Sequence, residues 1–113
     1  MPRAMLIAAL RDRLQRAQAL EREARHLDAF ALLEEAHVLS QRLTLWHCRV
    51  HWRMFCNGWA RRDWREMFGQ TARLPAAMAF SKIWVPLGNT GGARVSALQP
   101  MPIPDSLLAL LDQ

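Results

Sequence analysis

The sequence predicts an all-α protein: a small four-helix bundle of antiparallel helical hairpins, with an irregular Gly- and Pro-containing C-terminal tail and a short last helix. Three observations carry this. Apolar residues recur at helical spacing through roughly the first 75 residues. The link between the second and third periodic stretches is about four residues, a length that joins antiparallel neighbours. Punctuation is concentrated late, because Pro75, Pro86, Pro100, Pro102 and Pro104 all lie beyond residue 70. At 113 residues, 51% of them apolar, the chain has the material for one modest core. We read a single domain over 1–113, with a helical part at 4–75 and a wrapping tail at 76–113.

The first helix is expected over 4–25, where Leu6, Leu10, Leu14, Ala17 and Ala24 keep the helical period. "RHLDAF" breaks the pattern. Asp28 fits an N-cap there, with Leu27 before it as a staple residue, and "AFALLEEAHVLSQ" gives a second helix over 29–41. A third is expected over 45–60, ending near Asn57 and Gly58. Asp63 can cap a fourth, "WREMFGQTARL", which Pro75 is expected to stop. Asp105 can cap a last short helix in "DSLLALLDQ". The first hairpin, with "HLDAFALLEEA" at its junction, resembles the helical hairpin of tetratricopeptide repeats. No second copy occurs at that period, so a repeat array is not expected.

Composition removes several function classes. No apolar run approaches the roughly 18 residues that a membrane span needs, and "MPRAMLIAALRDR" is not a convincing signal peptide. The expectation is a cytoplasmic protein with no membrane association. Net charge is +5, almost all of it arginine, since Lys82 is the only lysine. In "RDRLQRAQALEREAR" the arginines are mixed with acids, the pattern of a solvated helix face laced with ion pairs rather than a nucleic-acid surface. Cys48 and Cys56 lie eight apart on one helix. That separates them by about 12 Å, beyond the roughly 7 Å limit for a disulfide, so two reduced thiols are expected. No C-x-x-C-H occurs, which excludes attached haem. "GNTGG" lacks the G-K-[S/T] ending of a phosphate loop, so no nucleotide is expected. It reads as a tight turn with positive-φ glycines, Asn89 and Thr90 bonding the turn, closing the tail over the open end of the bundle.

What remains is chemistry in an unexpected place. Each helical residue advances about 100°, so His47 and His51 lie about 40° apart on the third helix. Val50, Met54, Phe55 and Gly58 flank them, and Arg49 and Arg53 take the opposite face. On the second helix Phe30, Leu33, His37 and Gln41 share a face, with Glu34 at its margin. Glu34 and His37 form the E-x-x-H spacing with which bundle metal sites point two ligands inward. On the fourth, Glu66, Gln70 and Arg73 make a polar stripe beside Met67 and Leu74. A hairpin of helices two and three brings His37, His47 and His51 together, with Glu34 or Glu66 as an anionic fourth ligand and Gln41 and Gln70 as supporting partners. Neutral imidazole suits zinc, iron, nickel or copper. "HCRVH" lacks the glutamate of a zinc protease, so hydrolysis of that type is not expected.

The stretches "LLEEAHVLSQ", "HCRVHWRMF", "REMFGQTARL" and "VPLGNTGGARVSALQPMPIP" together resemble a small bacterial family of unknown function, over almost the whole chain from about residue 20. That family has no established activity to carry over. The resemblance does imply a connection with metals, through the metal-resistance gene clusters in which members sit.

Two readings stay open at this level. One is a non-enzymatic protein that binds a transition metal through His37, His47, His51 and Glu34 or Glu66. The other is an interaction module in which His, Glu, Gln and Arg only satisfy one another as a buried hydrogen-bond network. An enzyme using the cluster for acid–base chemistry ranks last, because no nucleophile or substrate pocket is recognisable. Trp52 and Trp59, seven apart on one flank of the third helix, mark the surface expected to meet a second copy or another protein.

Overall fold

The second helix has apolar residues on nearly every side, and a helix of that kind belongs in the middle of a bundle. The structure, a computed structural model, describes residues 2–80, 91–92 and 100–111. Within them five helices follow in order: α1 (Pro2–Arg22), α2 (His26–Ser40), α3 (Thr44–Arg61), α4 (Trp64–Phe80) and α5 (Asp105–Leu111). No strand occurs among the described residues. Consecutive helices pack on one another, α1 on α2, α2 on α3 and α3 on α4, while α5 lies against α1 and α2. So α2 touches three partners, and Ala29, Leu32, Leu33, Ala36, Val38 and Leu39 are all buried around it. Leu10, Leu14 and Ala17 of α1, Val50 and Met54 of α3 and Leu107 of α5 complete the core. The all-α bundle expected from the sequence is the fold observed. No helix among the described residues is long and apolar enough to cross a membrane.

Helix ends explain where the expected boundaries moved. α1 stops at Arg22, short of 25, because Ala24 takes a left-handed conformation at φ 59°. The Arg25 N–H then donates to the Leu20 carbonyl at 2.9 Å, and the Ala24 N–H to Glu21 at 3.0 Å. Arg62 (φ 57°) ends α3 the same way, with the Asp63 N–H on Gly58 at 2.8 Å. Both are Schellman ends made without glycine. α2 consequently starts at His26, not Ala29. Asp28 lies inside its first turn and not at the cap, where Arg25 makes no side-chain capping bond. Leu27 is exposed and staples nothing. Asp63 caps α4 as expected, accepting the Glu66 N–H at 3.1 Å. Asp105 is the first helical residue of α5 and not its cap, since the Leu107 and Leu108 N–H groups go to the Pro104 carbonyl.

Pro75 does not stop α4, which runs on to Phe80 and takes the helical part past residue 75. A proline removes one N–H and crowds the carbonyl four residues back, a cost of about 3 kcal/mol. The following "AAMA" is built of strong helix formers that offset part of it. Trp84, Asn89 and Thr90, with the rest of 81–90 and 93–99, lie outside the described residues.

The third helix does not end at Asn57 and Gly58; both are buried inside it. Asn57 joins three helices. Its Nδ2 donates to the His26 carbonyl at 3.0 Å and faces Glu21 at 3.5 Å, while its Oδ1 accepts from Arg61 Nε at 2.7 Å. Arg53 reinforces the joint, with Nη2 on Glu21 Oε1 at 2.9 Å. Replacing Asn57 by Ala leaves the His26 carbonyl and the Arg61 guanidinium without this partner, and should lower unfolding free energy by about 1–3 kcal/mol. Urea denaturation followed by circular dichroism reads this directly; an unchanged midpoint would show that the joint contributes nothing.

Candidate metal centre

His37 faces inward with the buried Leu33, Ala36 and Val38 of α2, and His47 and His51 because they lie on the same face of α3 as Val50 and Met54. The three side chains are buried at 3%, 6% and 3% exposure. Their Nε2 atoms form a triangle: His37 to His47 at 3.0 Å, His47 to His51 at 3.1 Å and His37 to His51 at 3.2 Å. Ring centroids are 4.7 Å apart in each pair. Among the described residues, this is the group of metal-ligating side chains whose donor atoms converge, all within 4.8 Å of one another.

The fourth helix orients the cluster. Gly58 lets α4 come close, since a Cβ there would stand 3.1 Å from Glu66 Cβ. That approach carries Glu66 and Gln70 into the interior, at 2% and 1% exposure. Gln70 Nε2 donates to Glu66 Oε1 at 2.7 Å and to the Gly91 carbonyl at 2.6 Å. Both partners are acceptors, so the amide nitrogen must face them and the amide oxygen must face His51 Nδ1, 2.5 Å away. His51 therefore carries its hydrogen on Nδ1 and turns the Nε2 lone pair into the triangle.

The tail closes the site. Gly91 has φ +84°, and a Cβ on it would stand 2.4 Å from His37 Cδ2. Arg73 Nη1 donates to the Gly91 carbonyl at 2.9 Å and to that of Gly92. Gly91 takes the positive φ expected of a glycine in "GNTGG", and it lies against the His37 ring; the rest of that loop lies outside the described residues.

Of the residues singled out from sequence, His37, His47, His51 and Gln70 come into direct contact. Glu66 meets the cluster one step out, through Gln70. Glu34 is half-buried on α2 and is not one of the converging groups. Gln41 is buried at the end of α2. His26 opens α2 and its Nδ1 is buried without a hydrogen-bond partner. Cys48 and Cys56 are half-buried free thiols. Sequence reasoning missed Gly91 and Gly92 as partners of the site. The one signal was a pair of adjacent glycines in a loop expected to close the bundle.

A three-imidazole centre buried in a helical bundle thus defines the molecule. The chain belongs to the family described as Protein of unknown function (DUF3703), which matches residues 4–111. No curated protein and no solved structure matches it.

Burial keeps the His47 and His51 imidazoles neutral. Burial, with repulsion from His51 adding to it, pushes His47 from 6.5 down to about 3. Burial also pushes His51 down to about 4; the Gln70 bond opposes this and Arg73 adds to it. An imidazole that stays neutral when folded but titrates near 6.5 when unfolded takes up its proton first in the unfolded chain. Stability is then fully present above pH 6.5 and falls as pH drops from 6.5 towards 4 and 3. The slope is up to about 1.4 kcal/mol per pH unit for each histidine. Melting temperatures of metal-free protein across pH 7 to 4 should show the decline, and His51→Gln should flatten it. A flat profile in the parent would contradict the buried neutral cluster.

Gly91→Ala tests the closure. A methyl group at φ +84° costs about 1–2 kcal/mol in backbone strain alone, and here it also meets the His37 ring. Hydrogen exchange should show faster exchange in the tail and on α2 around His37. Unchanged protection would mean that the tail does not seat on the imidazole.

Proposed function

We propose that this protein binds a transition metal ion through Nε2 of His37, His47 and His51. The observation that carries it is the triangle itself. Each ring nitrogen has a single in-plane position, holding either a hydrogen or a lone pair. Three nitrogens mutually within 3.0–3.2 Å cannot all be satisfied by one another, because a hydrogen on one serves one neighbour well. One cation at the centre satisfies all three. A tetrahedral ion with bonds of about 2.05 Å holds its nitrogens about 3.3 Å apart, so the triangle needs to open by only a few tenths of an ångström.

The surroundings suit the same reading. Gln70 already fixes His51 in the tautomer whose Nε2 can bind, the role that supporting hydrogen bonds play in metal sites. Glu66 places negative charge one bond further out, and Glu34 adds another carboxylate on the helix of His37. With three imidazoles as ligands, and neither Glu34 nor Glu66 among the converging groups, a fourth position stays open for water or a small anion. Zinc, copper, iron and nickel all accept such a set. The reading is of a binding protein, for sensing, buffering or sequestration, and not of an enzyme.

A second reading rests on the run of bonds from His51 through Gln70 to Glu66, Gly91 and Arg73. In it the cluster is purely structural and ties α3, α4 and the tail together. Elemental analysis separates the two. Untagged protein loaded with zinc, copper, nickel or ferrous iron and desalted should retain about one ion per chain and melt at a higher temperature. The His47→Ala, His51→Ala double variant should retain none. Less than about a tenth of an ion per parent chain, after loading with each metal, would leave the structural network as the function of the cluster.

A further inference from the structure

A flank of α3, about 120° round the helix from the histidines, carries a second pattern. Leu45, Trp52 and Trp59 are spaced by seven and lie at 82%, 54% and 63% exposure. Cys48 and Phe55 fall between them, three residues after Leu45 and Trp52, and are half-buried. Alternating three-and-four spacing of this kind is the seam by which one helix packs along another. Here it faces outward while the other face of the same helix fills the core. Trp52 and Phe55 stack at 5.6 Å between centroids, which makes the middle of the stripe flat and rigid.

We infer that this stripe is a homodimer interface in which α3 packs antiparallel against α3 of a second copy, about a two-fold axis at Trp52. Symmetry is the reason for choosing a second copy. A two-fold across an antiparallel helix pair brings to one level the residues equally far on either side of the axis. About Trp52, those levels pair Leu45 with Trp59 and Cys48 with Cys56, and set Arg49 level with Phe55. Away from the axis, where Trp52 meets its own copy, the levels match leucine with tryptophan, thiol with thiol, and arginine with phenylalanine. The cysteines lie one turn either side of Trp52, which leaves room for the indole of the partner to lie over them.

Area supports the same occupant. Whole tryptophans offer up to about 250 Å² and leucine somewhat less, so the exposed fractions of Leu45, Trp52 and Trp59 leave roughly 430 Å² open on each copy. A pair would cover roughly 900 Å² on these six side chains alone, near the 1,000 Å² at which specific interfaces begin. Phe55, the cysteines and the flanking arginines take it over that threshold. Exposed apolar area of this size on one helix is more than single scattered side chains give. Leu45, Trp52 and Trp59 are exposed whereas the triad is buried, so the seam is tested separately from metal binding.

Sedimentation of the full chain over a wide concentration range tests this. The mass should rise from 13.0 kDa to twice that value. Trp52→Glu, and separately Leu45→Lys, should raise the dissociation constant by about a hundredfold or more with the helical circular dichroism unchanged. Register is read with a short thiol cross-linker on Cys48→Ser and Cys56→Ser chains. A mixture of the two should cross-link, joining Cys48 of one copy to Cys56 of the other, and neither alone should. A single 13.0 kDa species at every concentration, whether or not another protein co-purifies on the stripe, would overturn the inference. So would a dimer unmoved by both substitutions, or cross-linking of one single-cysteine chain to itself.

Discussion

Gln70 has one carboxamide and three neighbours that need it. Its oxygen faces His51 at 2.5 Å, and its nitrogen serves Glu66 at 2.7 Å and the Gly91 carbonyl at 2.6 Å. In a buried position none of these groups has water as a substitute, so an unmet one costs about 1–3 kcal/mol. The amide consequently has one orientation, and that orientation decides where the hydrogen of His51 sits. From there the Nε2 lone pair of His51 turns towards the Nε2 atoms of His37 and His47. The joint also depends on packing, because Glu66 and Gln70 reach the interior only where Gly58 lets α3 and α4 approach.

This arrangement divides labour among the helices. α2, packed against α1, α3 and α5, supplies one imidazole and much of the core. α3 supplies two imidazoles on one face and an aromatic stripe on the other. α4 supplies no ligand to the triangle, yet it holds the charge and amide that orient the ligands. Arg73 links that helix to the tail through the Gly91 and Gly92 carbonyls, while Glu66 holds up a guanidinium pKa that burial lowers.

Much of this was legible in the sequence, and the limits have physical causes. Helical periodicity located all the helices, and the 40° offset of His47 and His51 placed them on the buried face that includes Val50 and Met54. The face shared by Leu33, His37 and Gln41 was equally plain. Boundaries were less so. Ala24 and Arg62 end helices in a left-handed conformation that sequence habit assigns to glycine, and Pro75 is carried through by the helix formers after it. Asn57 looked like a helix end because its partners, the His26 carbonyl, Glu21 and Arg61, become visible only once the helices are packed. Gly91 was readable as a turn but not as the cover of His37, since nothing local in "GNTGG" says which side chain it will meet. The carboxylates show the same limit: the spacing of Glu34 and Glu66 suggested ligands, whereas Glu66 spends its oxygen on Gln70.

The central claim is that Gln70 fixes His51 with its hydrogen on Nδ1, leaving three Nε2 atoms converging on one point. Long-range nitrogen–proton correlation NMR of the histidine rings in the metal-free protein at pH 7 tests it most directly. The account predicts a protonated Nδ1 and an unprotonated Nε2 on His51. A hydrogen found on Nε2 of His51, or a doubly protonated ring, would contradict it.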